Sequence, residues 1–139
     1  MVSGRLSWQR RQYLYQVRAV GEKGMIRLIV EPIPERGTYK LVQSVIIDGV
    51  TLPAGMESNG ASVPFYLWPI IGTPFDPRFI GPAFGHDRLY TTGERPRLES
   101  DELFKKWLMA NKVDAERADA MFTGVRLGGK SHYTKLTWG

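Results

Sequence analysis

The first third of the chain alternates apolar and polar positions with the period of two that is typical of a β-strand. The alternation begins in QYLYQVRAV (Gln12–Val20), and a turn is predicted at GEKG (Gly21–Gly24). MIRLIV (Met25–Val30) follows as the return strand of an antiparallel hairpin. One face of the first strand is expected to carry Tyr13, Tyr15, Val17 and Ala19.

A second hairpin is predicted around Asp48-Gly49. This pair separates YKLVQSVII (residues 39–47) from VTLP (residues 50–53). A type I′ turn needs positive φ at both of its central positions, and an Asp-Gly pair meets that need. Upstream, EPIPERG (residues 31–37) interrupts the strand pattern with two prolines and a glycine. Residues 1–52 are therefore expected to form antiparallel β-hairpins or a sheet.

Residues 53–77 are rich in proline, glycine and aromatic side chains, and they are too long and too apolar for a flexible linker. We expect an ordered loop, with a short helical piece, that packs on the domain. Two interpretations of the aromatic side chains in and just after this loop stay open. They pack over the helices in the core, or they form an apolar patch for a membrane or a neighbouring subunit. The side chains concerned are Phe65, Tyr66, Trp68, Phe75 and Phe79.

The second half of the chain has the spacing of apolar positions that is typical of amphipathic helices. The first predicted helix contains GPAFGHDRLY and ends at Gly93. It has two possible starts: one with Asp76 as N-cap and Pro77 in the first helical position, the other near Gly81. The second start would place Pro82 in the first turn, where the missing backbone N–H of a proline costs no hydrogen bond.

Two further helices are predicted downstream. One starts near Ser100, a good N-cap, and Asp101 and Glu102 then suit the positive end of the helix dipole. The other has Asp114 as its cap and stops at Gly128-Gly129. Their inward faces are expected to carry Leu103, Phe104, Trp107 and Leu108 in one helix, and Ala118, Met121, Phe122 and Val125 in the other.

Together these elements predict a single α+β domain of 139 residues, a length that suits one hydrophobic core. It comprises a β part (residues 1–52), an ordered loop (53–77), a helical part (78–129) and a short basic tail (130–139). The chain contains no cysteine, which excludes disulfides and thiolate metal sites.

Charge and hydropathy bear on whether the chain binds nucleic acid and on whether it carries a membrane span or a signal peptide. The net charge is +5, and the basic residues are scattered apart from Arg10-Arg11 and Lys105-Lys106. No nucleic-acid-binding motif accompanies them, so we expect no specific nucleic-acid partner. No apolar run reaches the length of a membrane span, and the basic N-terminus lacks the apolar stretch of a signal peptide. We therefore expect neither a transmembrane segment nor a signal peptide.

His86, one of two histidines, lies directly before Asp87 and four residues before Tyr90. On a helix, His86 and Tyr90 are neighbours on one face, whereas Asp87 is rotated by about 100°. Such a histidine can act as general base on a water molecule while the adjacent carboxylate holds a cation. The alternative is a partly buried histidine bonded to a backbone group, with Asp87 facing solvent.

Other chemistries have weaker support in the sequence. Ser62 in NGASVP lacks the glycine spacing of a nucleophile elbow, so it is expected to be a turn or cap residue. A zinc site with two or three histidine ligands would need His132 from the tail. Asp101 also has a structural explanation, because an acid in the first turn of a helix is favourable without any catalytic role.

The order of the motifs PAG, NGASVP, HDRLY, SDELF and MFTGVRLGG resembles a small protein family of unknown function that is common in tailed-phage genomes. The resemblance covers roughly Val50 to Gly128, over half the chain. It implies a phage or prophage origin and a place among tail or other virion genes. A virion protein would be made in the host cytoplasm, and its partners would be other phage structural proteins.

A more distant resemblance links the His-Asp-x-x-Tyr helix and the later Asp-x-x-Phe to the core of phospholipase A2 enzymes. It implies that His86 is the general base, that Asp101 orients it and that Tyr90 supports the network. Asp87 would be a calcium ligand, and Asn59 would occupy the other ligand position, where those enzymes have an aspartate. The disulfides of those enzymes are absent, but an asparagine amide oxygen can still bind calcium. Membrane lipid is the substrate that this resemblance implies.

Three hypotheses about function follow from these resemblances. The first is a structural or accessory component of a tailed-phage virion that carries a phospholipase A2-like His/Asp site. The second is a calcium-dependent phospholipase or esterase that acts on the host envelope during entry. The third is a hydrolase that acts on peptidoglycan.

Overall fold

The computed structural model describes residues 14–60, 71–73 and 75–134. Within these ranges, six strands come first and the three long helices follow, which confirms the predicted α+β class. The strands are β1 (Tyr15–Gly21), β2 (Gly24–Ile33), β3 (Thr38–Leu41), β4 (Val45–Ile47), β5 (Val50–Leu52) and β6 (Glu57–Ser58). The helices are α1 (Pro77–Thr92), α2 (Arg97–Ala110) and α3 (Ala115–Gly128).

Four strands form an antiparallel sheet in the order β1-β2-β3-β6. The β1–β2 hairpin turns where the sequence predicts it, with Gly21 paired to Gly24. Strand β2 continues past the predicted end at Val30 as far as Ile33, because its last residues pair with β3. The inward face of this hairpin is fully or nearly fully buried at Val17, Ala19, Leu28 and Val30.

The second hairpin, β4–β5, turns at Asp48 and Gly49, whose φ angles are 48° and 79°. Positive φ at both positions confirms the predicted type I′ turn. The apolar run at residues 39–47 forms two strands, because residues 42–44 interrupt it. The chain leaves the main sheet there, and β4 pairs with β5 instead, which buries Ile47, Val50 and Leu52.

The segment predicted as an ordered loop contains a strand. Strand β6 pairs with β3 through Tyr39 and Ser58, so the main sheet extends beyond residue 52. Of the aromatic side chains expected here, Phe79 is fully buried and Phe75 is 55% exposed. Ser62 and the other three aromatic residues, Phe65, Tyr66 and Trp68, lie outside the described residues.

Helix α1 begins at the earlier of its two predicted starts. The Asp76 side chain accepts the backbone N–H of Arg78, and Pro77 occupies the first turn. Pro82 therefore lies inside the helix and cannot donate to the Arg78 carbonyl four residues before it. The side-chain amide of Asn111 donates to that carbonyl instead, at 2.8 Å. This tertiary contact satisfies the group that the proline leaves without its usual donor.

Helix α2 corrects the prediction made for Ser100. The helix begins at Arg97, and its N-cap, Pro96, provides no side-chain cap. Ser100 is fully buried, and its hydroxyl donates to the Pro96 carbonyl at 3.1 Å. Asp101 consequently lies in the second turn, so the favourable end of the helix dipole does not explain it. In α3, by contrast, the predicted cap is confirmed, because Asp114 accepts the backbone N–H of Arg117.

Two glycines allow α1 to lie very close to its neighbours. A Cβ atom on Gly81 would approach the Arg18 carbonyl oxygen of β1 to 2.7 Å, and one on Gly85 would approach the Trp107 ring of α2 to 2.5 Å. Any larger side chain at these positions would push the elements apart. Helix α1 therefore packs closely against both β1 and α2, and this close packing fixes the position of His86. None of the described helices combines the length and apolar character needed to span a lipid bilayer.

Candidate functional site

His86 on α1 faces Asp101 on α2. Nε2 of His86 lies 2.7 Å from Oδ1 of Asp101. Asp101 is fully buried and His86 is 7% exposed. We assign the ring proton to Nε2, since a carboxylate oxygen can only accept a hydrogen bond. Nδ1 is then the nitrogen with which His86 can accept a further proton.

Tyr90 joins this pair from the next turn of α1. Its hydroxyl donates to the same oxygen of Asp101 at 2.6 Å. The imidazole ring contacts two aromatic rings at tilted angles, with centroid distances of 4.2 Å to Tyr90 and 4.6 Å to Phe104. Phe104 lies one helical turn after Asp101 and so shares its face. The structure thus gives a physical reason for both spacings, His-Asp-x-x-Tyr and Asp-x-x-Phe.

Two arginines that the sequence analysis did not identify complete this arrangement. Arg126 of α3 donates through Nη1 to Oδ2 of Asp101 at 2.8 Å. Arg97 donates through Nε to the Tyr90 hydroxyl at 3.1 Å, and the same nitrogen lies 4.0 Å from Oδ2 of Asp101. We refer to these residues as the Asp101 cluster: His86, Tyr90, Arg97, Asp101 and Arg126.

The charge of the Asp101 cluster follows from its hydrogen bonds. Burial acts to raise the pKa of Asp101, but hydrogen bonds from His86, Tyr90 and Arg126 outweigh it and hold that pKa below its ordinary value. Burial, and then the hydrogen bond to Asp101, raise the pKa of Tyr90 well above its ordinary value. Asp101 is therefore a carboxylate at neutral pH and Tyr90 a neutral donor.

Asp87 points toward the sheet rather than toward Asp101. Its Oδ2 accepts the hydroxyl of Ser58 on β6 at 2.6 Å, and Ser58 in turn accepts the backbone N–H of Gly60 at 3.2 Å. Burial raises the pKa of Asp87 against the opposing effects of the Ser58 hydrogen bond and of nearby His86 and His132. Among the described residues, His86 bonds the carboxylate of Asp101, whereas the alternative expects a backbone partner. Asp87 is half-buried and bonds Ser58, whereas the alternative expects it to face solvent.

The predicted calcium ligands are Asp87 and Asn59. Asn59 is exposed and directly follows Ser58, which bonds Asp87. Within residues 14–60, 71–73 and 75–134, no three His, Asp or Glu side chains are placed to hold a metal ion. The calcium site stays a prediction. His132, which a histidine zinc site would need, is exposed.

A protein-family model described as a protein of unknown function (DUF1353) matches residues 37–125. An uncharacterised protein, y4jT, of Sinorhizobium fredii is 32% identical over 78 residues. That alignment covers 56% of this chain and 23% of the relative, so the chain spans about a quarter of the relative's length. No solved structure matches the chain.

The matched region includes Ser58, Asn59 and every member of the Asp101 cluster except Arg126, which follows its last residue. The match confirms that the sequence belongs to an uncharacterised family, whereas its association with phages stays a prediction. The chain is a member of the DUF1353 family of proteins of unknown function.

Proposed function

We propose that the protein is a hydrolase in which His86, oriented by Asp101, activates water for attack on an ester. The observation that carries this proposal is the 2.7 Å contact between Nε2 of His86 and Oδ1 of Asp101, with the Tyr90 hydroxyl on the same oxygen at 2.6 Å. A general base needs a defined tautomer, and a carboxylate on one ring nitrogen provides it. The resemblance to phospholipase A2 suggests a phospholipid ester as the substrate class.

The reaction can be written in two balanced steps. The oxygen of a water molecule bonds to the ester carbonyl carbon while Nδ1 of His86 takes one of its protons. The imidazolium then returns that proton to the leaving alkoxide oxygen as the ester C–O bond breaks. The ionised Asp101 stabilises the transient positive charge of the ring. General-base assistance of this kind contributes roughly 10²- to 10⁴-fold to rate.

The burial of the pair fits this division of roles. Asp101 is fully buried, which keeps water from competing for its oxygens, and Tyr90 is 5% exposed. His86 is 7% exposed, so its ring is at the boundary of the buried cluster. The side chain of the proposed base is 9% exposed, whereas that of its orienting carboxylate is fully buried.

Calcium has no step in this scheme. A calcium site takes six to eight oxygen ligands, and bound calcium would supply polarisation of the ester carbonyl. In the part of the chain that the structure describes, Asp87 accepts a hydrogen bond from Ser58, burial raises the pKa of Asp87, and no three acidic or histidine side chains converge on one point. The described residues alone do not fit a calcium shell.

The test is hydrolysis of phospholipid vesicles and of a short-chain ester by the purified protein, with calcium or with a chelator. His86→Ala should abolish hydrolysis. His132→Ala is the matched control, because it removes the other, exposed histidine, and it should retain activity. Unfolding curves establish that both variants are folded. The proposal would be contradicted if His86→Ala still hydrolysed either substrate. It would also be contradicted if the wild-type protein hydrolysed neither.

The order of motifs across residues 50–128 favours a second proposal, that the chain is a component of a tailed-phage particle. The two proposals are compatible, because an envelope-active enzyme used during entry would travel with the virion. Mass spectrometry of purified particles tests it. Absence of the chain from the particles would reject the virion role and leave the hydrolase proposal intact.

A further inference from the structure

The two oxygens of the Asp101 carboxylate have separate partners. Oδ1 accepts hydrogen bonds from His86 and Tyr90, both on α1. Oδ2 accepts one from Arg126 on α3, at 2.8 Å. Asp101 is fully buried, and the side chain of Arg126 is 32% exposed. Asp101, the acid that orients His86, therefore also accepts a hydrogen bond on its other oxygen from Arg126, a cation on a third helix.

We infer that Arg126 is a positioning residue, which acts on His86 through Asp101 without touching the substrate. This inference rests on the proposed hydrolase function. The terminal torsion of an aspartate is broad, so a carboxylate bound on one oxygen retains rotational freedom. A charge-assisted hydrogen bond on the second oxygen removes that freedom. Oδ1 then stays directed at Nε2 of His86.

Arg97 holds the backbone of Arg126 in the position from which the Arg126 side chain contacts Asp101. Its Nη2 donates to the carbonyl oxygens of Val125 and Arg126, each at 2.8 Å. These carbonyls belong to the last turn of α3, the negative end of the helix dipole, where a cation is favourable. The Val125 carbonyl also accepts the backbone N–H of Gly129 at 2.9 Å. Arg97 lies on α2, one turn before Asp101, so the helix that carries the acid also holds the backbone of Arg126.

Contacts other than those of Arg126 also attach α3 to α2. Phe104 and Leu108 of α2 pack with Ala118 and Met121 of α3 in one apolar cluster. Lys105 and Asp119 add a second ion pair between the same two helices, near the surface. A buried ion pair by itself is weak evidence for a contribution to stability. The placement of Arg126 on the acid of the proposed site favours a role in that site.

The test compares Arg126→Gln and Arg126→Lys with Lys105→Gln. The control removes one positive charge and one α2–α3 ion pair without contacting Asp101. Two readouts are used: the tautomer of the His86 ring, from two-bond ¹H–¹⁵N NMR at mildly alkaline pH, and kcat and KM for ester hydrolysis. The NMR readout needs no activity, so it separates this inference from the proposed function.

In Arg126→Gln, we expect the Nε2–H tautomer of His86 to give way to a mixture. The value of kcat should fall about 10- to 100-fold while KM changes little, because misorientation affects the reacting geometry rather than substrate binding. Arg126→Lys should recover part of kcat, and Lys105→Gln should behave as the wild-type protein does. If Arg126→Gln is too unstable to measure, Arg126→Lys provides the comparison, since it keeps the charge and loses the planar fork.

An unchanged tautomer in folded Arg126 variants would overturn the inference. So would a fall in kcat that Lys105→Gln reproduces, because loss of an interhelix ion pair would then explain it. A wild-type protein that hydrolyses neither substrate, combined with a tautomer change in Arg126→Gln, would reject the proposed function and support the positioning role of Arg126.

Discussion

Two acids flank His86, and the structure gives them opposite properties. Asp101 accepts hydrogen bonds from His86, Tyr90 and the cation Arg126, and its pKa lies below the ordinary value. Asp87 accepts one from the neutral hydroxyl of Ser58, and burial raises its pKa. Burial penalises the charged form at both positions, so the number and charge of the donors decide in which direction each pKa moves.

This difference assigns the acids different roles. Only an ionised carboxylate can stabilise an imidazolium, and Asp101 meets that condition. Asp87, whose neutral form is favoured by its surroundings, is better suited to linking α1 to β6 through Ser58. The cluster of donors around Asp101, rather than the His86-Asp87 pair that stands out in the sequence, is the chemically distinctive part of the site.

The strongest way to break this comparison is to substitute each acid by its amide. In Asp101→Asn, the amide NH₂ must face either Arg126 or the pair His86 and Tyr90. In either orientation one donor group faces another, and Arg126 no longer has a negatively charged partner. We expect a loss of about 3 kcal/mol in the free energy of unfolding. In Asp87→Asn the amide oxygen can still accept from Ser58, and the change should stay within about 1 kcal/mol. Urea unfolding measures both, and equal losses would contradict the comparison.

The close approach of α1 to α2 supports the Asp101 side of the comparison and can be disturbed separately. An alanine at Gly85 would place its Cβ 2.5 Å from the ring of Trp107, which is held by a 2.6 Å hydrogen bond to Asp48. Gly85→Ala should cost about 2 kcal/mol through overpacking. The substitution should also lower the rate of ester hydrolysis, because the added Cβ would displace α1 from α2 and so move His86 away from Asp101.

Gly124→Ala is the matched control. A Cβ there meets nothing within 4 Å, and an exposed helical glycine replaced by alanine should stabilise the protein by about 0.5–1 kcal/mol. The two substitutions should therefore have opposite signs in thermal or urea unfolding. A stabilising Gly85→Ala would show that the two helices are not in tight contact.

Tyr90→Phe removes one neutral donor from Asp101 while the cation stays. The buried hydroxyl also accepts from Arg97, so we expect a loss of about 1 kcal/mol, less than for Asp101→Asn. Tyr15→Phe is the control, since Tyr15 is 52% exposed and its hydroxyl should contribute less than about 0.5 kcal/mol. Chemical denaturation of the two variants distinguishes them.

The smallest expected effects come from pH, and they differ in sign between the two acids. The folded-state pKa of Asp101 is lowered, so its stabilising effect is present above the unfolded value, near 3.8, and is lost as the pH falls through the folded pKa. The folded-state pKa of Asp87 is raised, so its contribution is present below the unfolded value and is lost as the pH rises through the folded pKa. On acidification, the stability gap between wild type and Asp101→Asn should narrow, while wild type should gain relative to Asp87→Asn. Urea unfolding across acidic pH checks both trends.

The local pattern predicts much of the fold because the relevant contacts are near in sequence. The type I′ turn at Asp48-Gly49 depends on the φ preferences of those two residues. The Asp114 cap depends on a backbone N–H three residues away. The i,i+4 spacing of His86 and Tyr90 on a helix was likewise sufficient to predict that they lie together.

The tertiary structure decided everything that depends on groups far apart in the chain. Arg97 lengthens α2 beyond its predicted start and binds carbonyls of α3, and no local signal marks those carbonyls as acceptors. Asn111 makes Pro82 tolerable inside α1 by donating to the Arg78 carbonyl. The sequence by itself determined the elements and the residue types of the site. The direction in which the pKa of each acid moves was decided by packing, because burial and the donors that oppose it come from three different helices and the sheet.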